Sequence, residues 1–428
     1  TILAKGEFDK VERELQCILN DLHDDICTSL INDVMDDSCF EEKMLELAAD
    51  EGISSLSKRK VEVQFRTGNK RVVNSYYGKR LKSKTKIDRH VGLTCLGFIK
   101  KASPLYVSLS SLVAVLCPSF EVGKQLMNEM GINGKYNRIR DLSIVLGEKA
   151  VEQGVRSIIT SEETMEEKRV AVMIDGGRSR TRLENGLLTI QGNPRFETDW
   201  KEVKVLVIQV LDKDGKIERK ENLPIYDITV GGIEKLMAKL TETLILLNVS
   251  AAKEVQFIAD GATGFWNNIE RAFTLAQVPQ RKITYTLDYY HAVEHLSEVL
   301  NLINVLSELE RKTWFVQLKQ QLWKGHIKEL IKEIKDFCQE KTIEIKGKLL
   351  TEINYFEKHR NRMNYQLFRQ QKWLCGSGAV ESAIRRIVNL RFKAPSSFWL
   401  VEHIEPLAFL RATFLAGRWK ILFENLKY

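Results

Sequence analysis

The sequence lacks the long apolar segments that membrane-spanning proteins need. Its longest nearly apolar run, from Leu105 to Cys117, contains serines and is shorter than the roughly 20 residues of a membrane-spanning helix. No signal-peptide pattern opens the chain. The seven cysteines form no C-x-x-C pair, which argues against a zinc ribbon and against the disulfide framework of a small secreted domain. We therefore expect a cytoplasmic protein with reduced thiols and no membrane contact.

Charge is present in abundance, and its distribution is uneven. Residues 1–51 carry 15 acidic and 4 basic side chains, whereas residues 57–90 carry 12 basic and 2 acidic ones. The contrast predicts an acidic helical segment over residues 1–56 and a basic region over residues 57–160. Basic residues interleaved with tyrosines suit a DNA backbone, with a plain solvated surface as the alternative. The candidate DNA contacts here are Lys79, Arg80 and Lys82.

Two short helical patterns surround a turn at Gly131, and the second carries Lys135, Arg138 and Arg140. This arrangement resembles a helix-turn-helix within a small helical and β-stranded DNA-binding region. Ordinary packing of two short helices is the alternative.

A different organisation begins at the stretch RVAVMIDGGRSR. Strand patterns cover residues 169–174, 201–211 and 216–229, a helix follows, and two further strands end at Asp260 and Asp288. The order βββαβαβα predicts an α/β fold with a mixed five-stranded sheet flanked by helices. In such a sheet the first and fourth strands are neighbours, which would bring Asp175 beside Asp260.

Two adjacent carboxylates repel each other unless a cation lies between them. Mg²⁺ accepts one or two protein carboxylates together with substrate phosphate oxygens. The alternative is that each aspartate caps the helix that follows its strand. The glycines after Asp175 would let a phosphate backbone approach, and Arg178, Arg180 and Arg182 would hold it.

A third acidic ligand is expected from the stretch CGSGAVESAIRRIVNLRFK. Gly376 and Gly378 form a turn, Ser377 can cap, and Glu381 lies in the first turn of the helix. The candidate DNA contacts along this helix are Arg385, Arg386, Arg391 and Lys393. An amphipathic helix with a solvated glutamate is the alternative. Trp373 and Trp399, which flank it, are expected in the core rather than stacked on an unpaired base.

These stretches resemble the DDE transposases with an RNase H-like core, most closely the bacterial insertion-sequence transposases of the ISKra type. The matching stretches are MIDGGRSR, FIADGATGFWNNI, LDYYHAVEHL, GSGAVESAIRRIVNLRFKAPSSFW, LAFLRATFLAGRW and, upstream, VGLTCLGF. The resemblance implies that Asp175, Asp260 and Glu381 form the catalytic triad and bind two Mg²⁺ or Mn²⁺ ions. It further implies cleavage of transposon ends in double-stranded DNA, strand transfer into target DNA, and a homo-oligomer acting on paired ends.

The resemblance also implies a domain arrangement. The RNase H-like core would comprise residues 161–288 and 373–428. Residues 289–372, rich in Leu, Glu and Lys with almost no glycine, would form an all-helical insertion before the last catalytic helix. In related transposases such an insertion helps to hold cleaved ends, and a plain structural support for the core is the alternative.

The stretch LDYYHAVEH fits two motifs. Asp288 and His291 match the D-x-x-H signature of related transposases, in which the histidine supports the active site. The spacing of His291, Glu294 and His295 also fits the H-x-x-E-H pattern of zinc peptidases, which we regard as a remote possibility. Two further functions fit the sequence: a non-catalytic DNA-binding descendant of a transposase, and a structure-specific nuclease with the same core.

Overall fold

The computed structural model describes residues 7–50, 52–80, 89–192, 194–394 and 397–426. Its described residues form two compact units. The first unit takes the residues up to Gln153, Glu402–Phe414 and those from Leu422 onward, and the second takes Gly154–Val401 and Leu415–Ile421. In the part of the chain covered by these ranges, no helix is both long and apolar enough to cross a bilayer.

The first unit is mainly helical and contains one β-hairpin. Its elements are α1 (Phe8–Asp36), α2 (Ser38–Asp50), β1 (Ile53–Gln64), β2 (Lys70–Arg80), α3 (Val91–Cys95), α4 (Pro104–Leu116), α5 (Phe120–Glu129) and α6 (Tyr136–Gln153). Strands β1 and β2 pair antiparallel around a turn at Gly68.

The acidic helices and the basic hairpin belong to the same unit. Met35 of α1 and Met44 of α2 share a buried cluster with Val63 and Tyr76 of the hairpin. Arg71 of the hairpin is 2.9 Å from the carboxylate of Asp21. The predicted boundary between residues 56 and 57 therefore does not separate two units, because opposite charges and a common apolar core join the two segments.

The helix pair at Gly131 is present as α5 and α6, but its basic residues are partly engaged within the protein. Arg138 donates from Nε to the side chain of Gln64 at 2.7 Å. Arg140 lies 2.8 Å from the carboxylate of Asp141. The two predicted helices are therefore present, but the guanidinium groups of Arg138 and Arg140 have partners within their own unit.

The second unit contains a five-stranded sheet and most of the remaining helices. Its elements are β3 (Arg169–Leu188), β4 (Pro194–Leu211), β5 (Ile225–Thr229), α7 (Ile233–Leu246), β6 (Glu254–Ala259), α8 (Thr263–Leu275), β7 (Ile283–Leu287), α9 (Tyr289–Leu302), α10 (Glu308–Lys324), α11 (Ile327–Glu340), α12 (Gly347–His359), α13 (Tyr365–Gln370), α14 (Gly378–Ile384), a π-helical turn (Arg385–Asn389) and α15 (Leu390–Phe392). The chain ends with α16 (Val401–Leu415) and α17 (Trp419–Asn425).

The sheet has the strand order β5-β4-β3-β6-β7, with β4 antiparallel to its neighbours and β3, β6 and β7 parallel. This confirms the predicted order of elements and the predicted mixed five-stranded sheet flanked by helices. The arrangement is compatible with an RNase H-like fold. The residues between Tyr289 and Lys372 contain helices and no strand, as the sequence predicts for the insertion.

Three predicted boundaries differ from the structure. β3 does not end at Ile174, because it continues along β4 as a two-stranded ribbon to Leu188. The third strand is shorter than predicted and covers only Ile225–Thr229. The C-terminal stretch does not belong wholly to the core: Pro406 of α16 packs against Gly147 of α6 in the first unit.

Candidate active site

The parallel pairing of β3 with β6 places Asp175 beside Asp260. The last pair in register joins Ile174 of β3 to Ala259 of β6. Asp175 directly follows Ile174, and Asp260 directly follows Ala259. Because side chains alternate along strands, the two carboxylates emerge on the same face of the sheet. Neither caps a helix. The Asp175 carboxylate accepts from the N–H of Gly176 at 2.6 Å, and that of Asp260 accepts from the N–H of Ala262 at 2.9 Å.

Glu381 and His291 both lie close enough to Asp175 to act on its charge. Burial raises the pKa of Asp175 to about 6, the Gly176 N–H opposes this rise, and the negative charges of Asp260 and Glu381 add to it. His291 acts on the same carboxyl group in the opposite direction. Asp260, Glu381 and His291 therefore each lie within electrostatic range of Asp175.

This set of side chains suits a hard divalent cation. Carboxylate oxygens are the ligands that Mg²⁺ prefers, and a cation would relieve the repulsion that raises the pKa of Asp175. Within the described ranges, no group of three or more histidine, cysteine, aspartate or glutamate side chains is already close enough to hold a metal. Asp175, Asp260 and Glu381 therefore do not lie at the mutual distances of metal ligands in this structure.

Asp288 does not face Asp175; its carboxylate connects two segments that contribute residues to the candidate site. Its carboxylate is fully buried. One oxygen accepts from the N–H groups of Tyr290 and His291 at the start of α9, and the second accepts from the N–H and the hydroxyl of Ser377. Ser377 therefore bonds to Asp288 and makes no side-chain cap for α14, contrary to our prediction. The Asp288 carboxylate ties the helix of His291 to the segment that leads to Glu381.

Gln256 is a second tether that the sequence reasoning missed. Its side-chain amide donates to the carbonyl of Leu374 at 2.7 Å and accepts from the Leu374 N–H at 3.1 Å. It also donates to the hydroxyl of Thr286 at 2.8 Å. The sequence holds a signal for this contact, since a glutamine interrupts the apolar run of strand β6 and is fully buried in the structure. Gln256 and Asp288 together fix the chain just before α14.

The glycines after Asp175 allow other parts of the same protein to pack closely against β3. A Cβ atom at Gly177 would lie 2.8 Å from Ile384 and 3.3 Å from Val388. Gly176 faces the side chain of Glu202. The prediction that both glycines open a path for a phosphate backbone is therefore wrong: Gly177 allows α14 and the turn after it to approach β3, which brings Glu381 to the site.

The three arginines after Asp175 lie on the other face of β3. Arg178, Arg180 and Arg182 alternate with Asp175 along a ribbon whose pairing with β4 is unbroken through Glu184. Arg178 is exposed, and the guanidinium of Arg180 lies 5.3 Å from the ring centre of Trp200. These arginines can contact DNA only along the ribbon, away from the carboxylates.

The basic residues after Glu381 differ in their access to solvent. Arg385 and Lys393 are exposed, whereas Arg386 is half-buried and donates to the Tyr226 hydroxyl at 3.2 Å. Arg391 is buried, with its guanidinium 4.6 Å from the ring centre of Trp399. The prediction of Arg391 as a DNA contact is therefore wrong for this structure. A π-helical turn over Arg385–Asn389 interrupts the continuous helix that the pattern predicts.

The tryptophans near the Glu381 helix lie in the core, as predicted. Trp373 and Trp399 are 6% and 8% exposed. Trp200, which sequence reasoning passed over, is 42% exposed. Two cations lie near its ring: the Arg180 guanidinium, and the Lys393 ammonium at 5.9 Å from the ring centre. Only the antiparallel pairing of Trp200 with Arg180, invisible in the sequence, reveals this surface.

The candidate contacts in the first unit are only partly described. Lys79 and Arg80 end strand β2. Lys82 lies outside the described residues.

The two histidines of the H-x-x-E-H spacing have different neighbours. His291 lies 3.3 Å from Glu294 and faces Asp175. His295 pairs with Glu352 of α12 at 2.6 Å, and its ring stacks on that of Tyr355. Among the described residues, this spacing forms no three-residue metal group. The zinc-peptidase hypothesis has no support from this geometry.

Comparison with known proteins gives little further information. No family model matches the chain, and no curated protein matches it. Among solved structures, the chain is similar to the Drosophila P element transposase strand transfer complex at 13% sequence identity, over 76% of this chain and 81% of that one, with a TM-score of 0.25. A superposition at that score does not establish a shared fold.

Proposed function

We propose that this protein is a DDE-type transposase that cleaves DNA at transposon ends and transfers the cut strand to target DNA. The observation that carries the proposal is the placement of Asp175 and Asp260 side by side after the parallel pair Ile174 and Ala259, with Glu381 close enough to act on the charge of Asp175. The predicted resemblance to insertion-sequence transposases points to the same triad. Its finer assignment to the ISKra type stays a prediction.

In this proposal Asp175, Asp260 and Glu381 hold Mg²⁺ or Mn²⁺. Two such ions would stabilise the attacking and leaving oxygens of a phosphodiester displacement. The protein's own contribution is to fix the three carboxylates, through the sheet register and through the tethers of Asp288 and Gln256. His291, facing Asp175, is placed to meet a phosphate oxygen at the same edge.

Contacts to the DNA backbone would come from cations that remain exposed. Arg385 lies one turn after Glu381, and Lys393 lies beside Trp200. Phosphate contacts of this kind position a duplex and make binding dependent on salt. An exposed ring flanked by cations is also typical of surfaces that stack unpaired bases. We expect homo-oligomers on paired DNA ends.

The direct test is nicking of a supercoiled plasmid that carries the genomic segments flanking the coding sequence, with Mg²⁺, Mn²⁺ or EDTA. Glu381→Gln removes a charge from the first turn of α14. Glu234→Gln makes the same change in the first turn of α7, where the glutamate is exposed, and serves as the matched control. We expect metal-dependent nicking by the wild type and the control, and none by Glu381→Gln.

The reaction products separate a transposase from the competing functions. A strand-transfer assay with terminal 3′-hydroxyl DNA yields joined products for a transposase and only cut products for a structure-specific nuclease. DNA binding without cleavage under every metal condition would instead indicate a non-catalytic descendant. If Glu381→Gln cuts as fast as the control, Glu381 is not a catalytic ligand.

A further inference from the structure

Three segments of the first unit bring basic side chains to one open cavity. The cavity has a volume of about 280 Å³ and lies between the β-hairpin, the loop that precedes α4 and the start of α6. Among its described lining residues, Glu62 is the one carboxylate, and it is paired with Lys70 of the hairpin. The other basic side chains that line it are Lys100, Lys101, Lys135 and Arg138.

These four cations have no carboxylate partner. Lys100, Lys101 and Lys135 are exposed, and none of their ammonium groups forms a hydrogen bond or an ion pair with a described residue. Arg138 is half-buried, and its guanidinium donates to the Gln64 side chain at 2.7 Å and to the carbonyl of Lys100 at 2.5 Å. Burial lowers the pKa of Arg138, because a cation is less stable away from water. An anion from outside the protein would compensate this cluster of positive charge.

The turn that carries two of the lysines is strained. Ile99 and Ala102 exchange both backbone hydrogen bonds, at 3.0 and 2.9 Å, around the two residues Lys100 and Lys101. Both lysines have a positive φ, 47° and 64°. Two-residue turns of this kind favour asparagine and glycine, because most side chains are strained in the left-handed region. Strain of this kind is typical of functional sites, so the two lysines indicate a role beyond making the turn.

Buried contacts fix the three segments against one another. The buried side chain of Gln64 accepts from Arg138, and the Gln64 N–H donates to the carbonyl of Lys101 at 2.9 Å. The N–H of Asn133 donates to the carbonyl of Thr67 at 2.7 Å, which ties the hairpin turn to the segment that leads into α6. The cations are therefore gathered by the fold before any ligand binds.

We propose that this cavity binds one phosphate group of a DNA duplex through four side chains, those of Lys100, Lys101, Lys135 and Arg138. The inference rests on the proposed function and deepens it, because it names the place at which the first unit holds DNA. It assigns Lys135 and Arg138 to backbone contact rather than to base reading by a helix-turn-helix. Contacts of this kind position a duplex without reading its sequence.

The first test measures binding of a labelled duplex to the full chain by fluorescence anisotropy over a range of salt concentrations. Lys135→Gln removes one cation from the cavity. Lys124→Gln makes the same change on α5 of the same unit, where the ammonium is paired with Glu121 at 2.9 Å, and serves as the matched control. We expect Lys135→Gln to weaken binding about 10-fold and to lower the slope of log affinity against log salt by about 1, with the control like the wild type.

A second variant separates DNA binding from stability. Lys100→Asn combined with Lys101→Gly gives the turn the residues that it favours and removes two ammonium groups. We expect the first unit to unfold at a higher temperature, as measured by circular dichroism, while DNA affinity falls at least as far as in Lys135→Gln. Wild-type affinity in this variant would overturn the inference, and loss of folding could not explain a loss of affinity.

The remaining outcomes identify the ligand. The loss should be equal for duplexes of unrelated sequence, and a loss confined to one sequence would overturn the inference in favour of base reading. Inorganic phosphate is the probe for a small free anion. If Lys135→Gln loses binding of inorganic phosphate but keeps its affinity for DNA, the cavity takes a free anion and the inference fails.

Failure of the inference is distinguishable from failure of the proposed function. If the wild type binds DNA through these lysines but nicks under no metal condition, the proposed function fails and the phosphate site stands. If the wild type nicks and both cavity variants bind DNA as it does, only the phosphate site fails.

Discussion

Asp175→Asn should stabilise the metal-free protein at neutral pH and not at acidic pH. The folded-state pKa of Asp175 is raised from 3.8 to about 6, so the folded protein holds this proton more tightly than the unfolded chain. The stability that this bound proton contributes is fully present below the pKa that Asp175 has in the unfolded chain. It is lost as the pH rises through the pKa that Asp175 has in the folded protein.

The magnitude follows from the size of the rise. Each pKa unit corresponds to about 1.4 kcal/mol, so ionisation of Asp175 lowers the free energy of unfolding by about 3 kcal/mol once the pH is well above 6. Asparagine carries no charge and keeps the oxygen that accepts from the Gly176 N–H. At about pH 4 the substitution should raise the free energy of unfolding by less than about 1 kcal/mol.

Tryptophan fluorescence is the suitable probe. All seven tryptophans lie in the second unit, so their emission reports on its unfolding alone. For a unit of this size, a gain of about 3 kcal/mol raises the thermal midpoint by about 6–12 °C. The measurement is made in EDTA at about pH 7.5 and about pH 4, since bound metal would change the charge balance.

Asp227→Asn is the control with the opposite expected sign. Asp227 is buried on the same sheet, but it has a cation partner in Lys239 at 2.8 Å. Removing its charge takes this carboxylate partner from the Lys239 ammonium and should destabilise the second unit by about 3–5 kcal/mol. An equal gain in the free energy of unfolding for Asp175→Asn at both pH values, or no such gain at neutral pH, would refute the electrostatic account of the site.

Three further outcomes are expected. Millimolar Mg²⁺ should raise the unfolding midpoint of the wild type and leave that of Asp175→Asn unchanged, as measured by the same fluorescence. Asp288→Asn should lower both stability and nicking, because one oxygen that accepts from Ser377 is replaced by an NH₂ group; Ser377→Ala should cost less, since the Ser377 N–H still donates. Trp200→Ala should weaken binding of single-stranded DNA about 10-fold in fluorescence anisotropy while Trp200→Phe keeps most of it, and equal losses would argue against stacking.

The sequence predicts the core of the second unit well because its signals are local. Apolar runs such as EVQFIA and KITYTL predict strands, and their order restricts the sheet to few topologies. The length of the β3–β4 ribbon escapes prediction, since beyond Arg182 the ribbon is exposed to solvent. Its outer strands are held by pairing with each other rather than by burial.

The site is predicted only where chain order determines it. Asp175 and Asp260 follow from strand order, and Glu381 follows from a helix that returns to the same edge. The contacts of Asp288 with Ser377 and of Gln256 with Leu374 join residues that are 89 and 118 positions apart, and no periodicity encodes such distances. The burial of Arg391 against Trp399 is likewise a product of tertiary packing.

The helical insertion does more than support the core from outside. It contributes α9, whose His291 faces Asp175, and α12, whose Tyr355 contacts the residue after Asp260. The hydrogen bond between His295 and Glu352 joins these two helices across the insertion. A purely structural support would leave the turn at Gly261 free to carry a side chain, whereas here that turn must be glycine for α12 to approach. The insertion therefore packs directly against the end of β6 at which Asp260 lies.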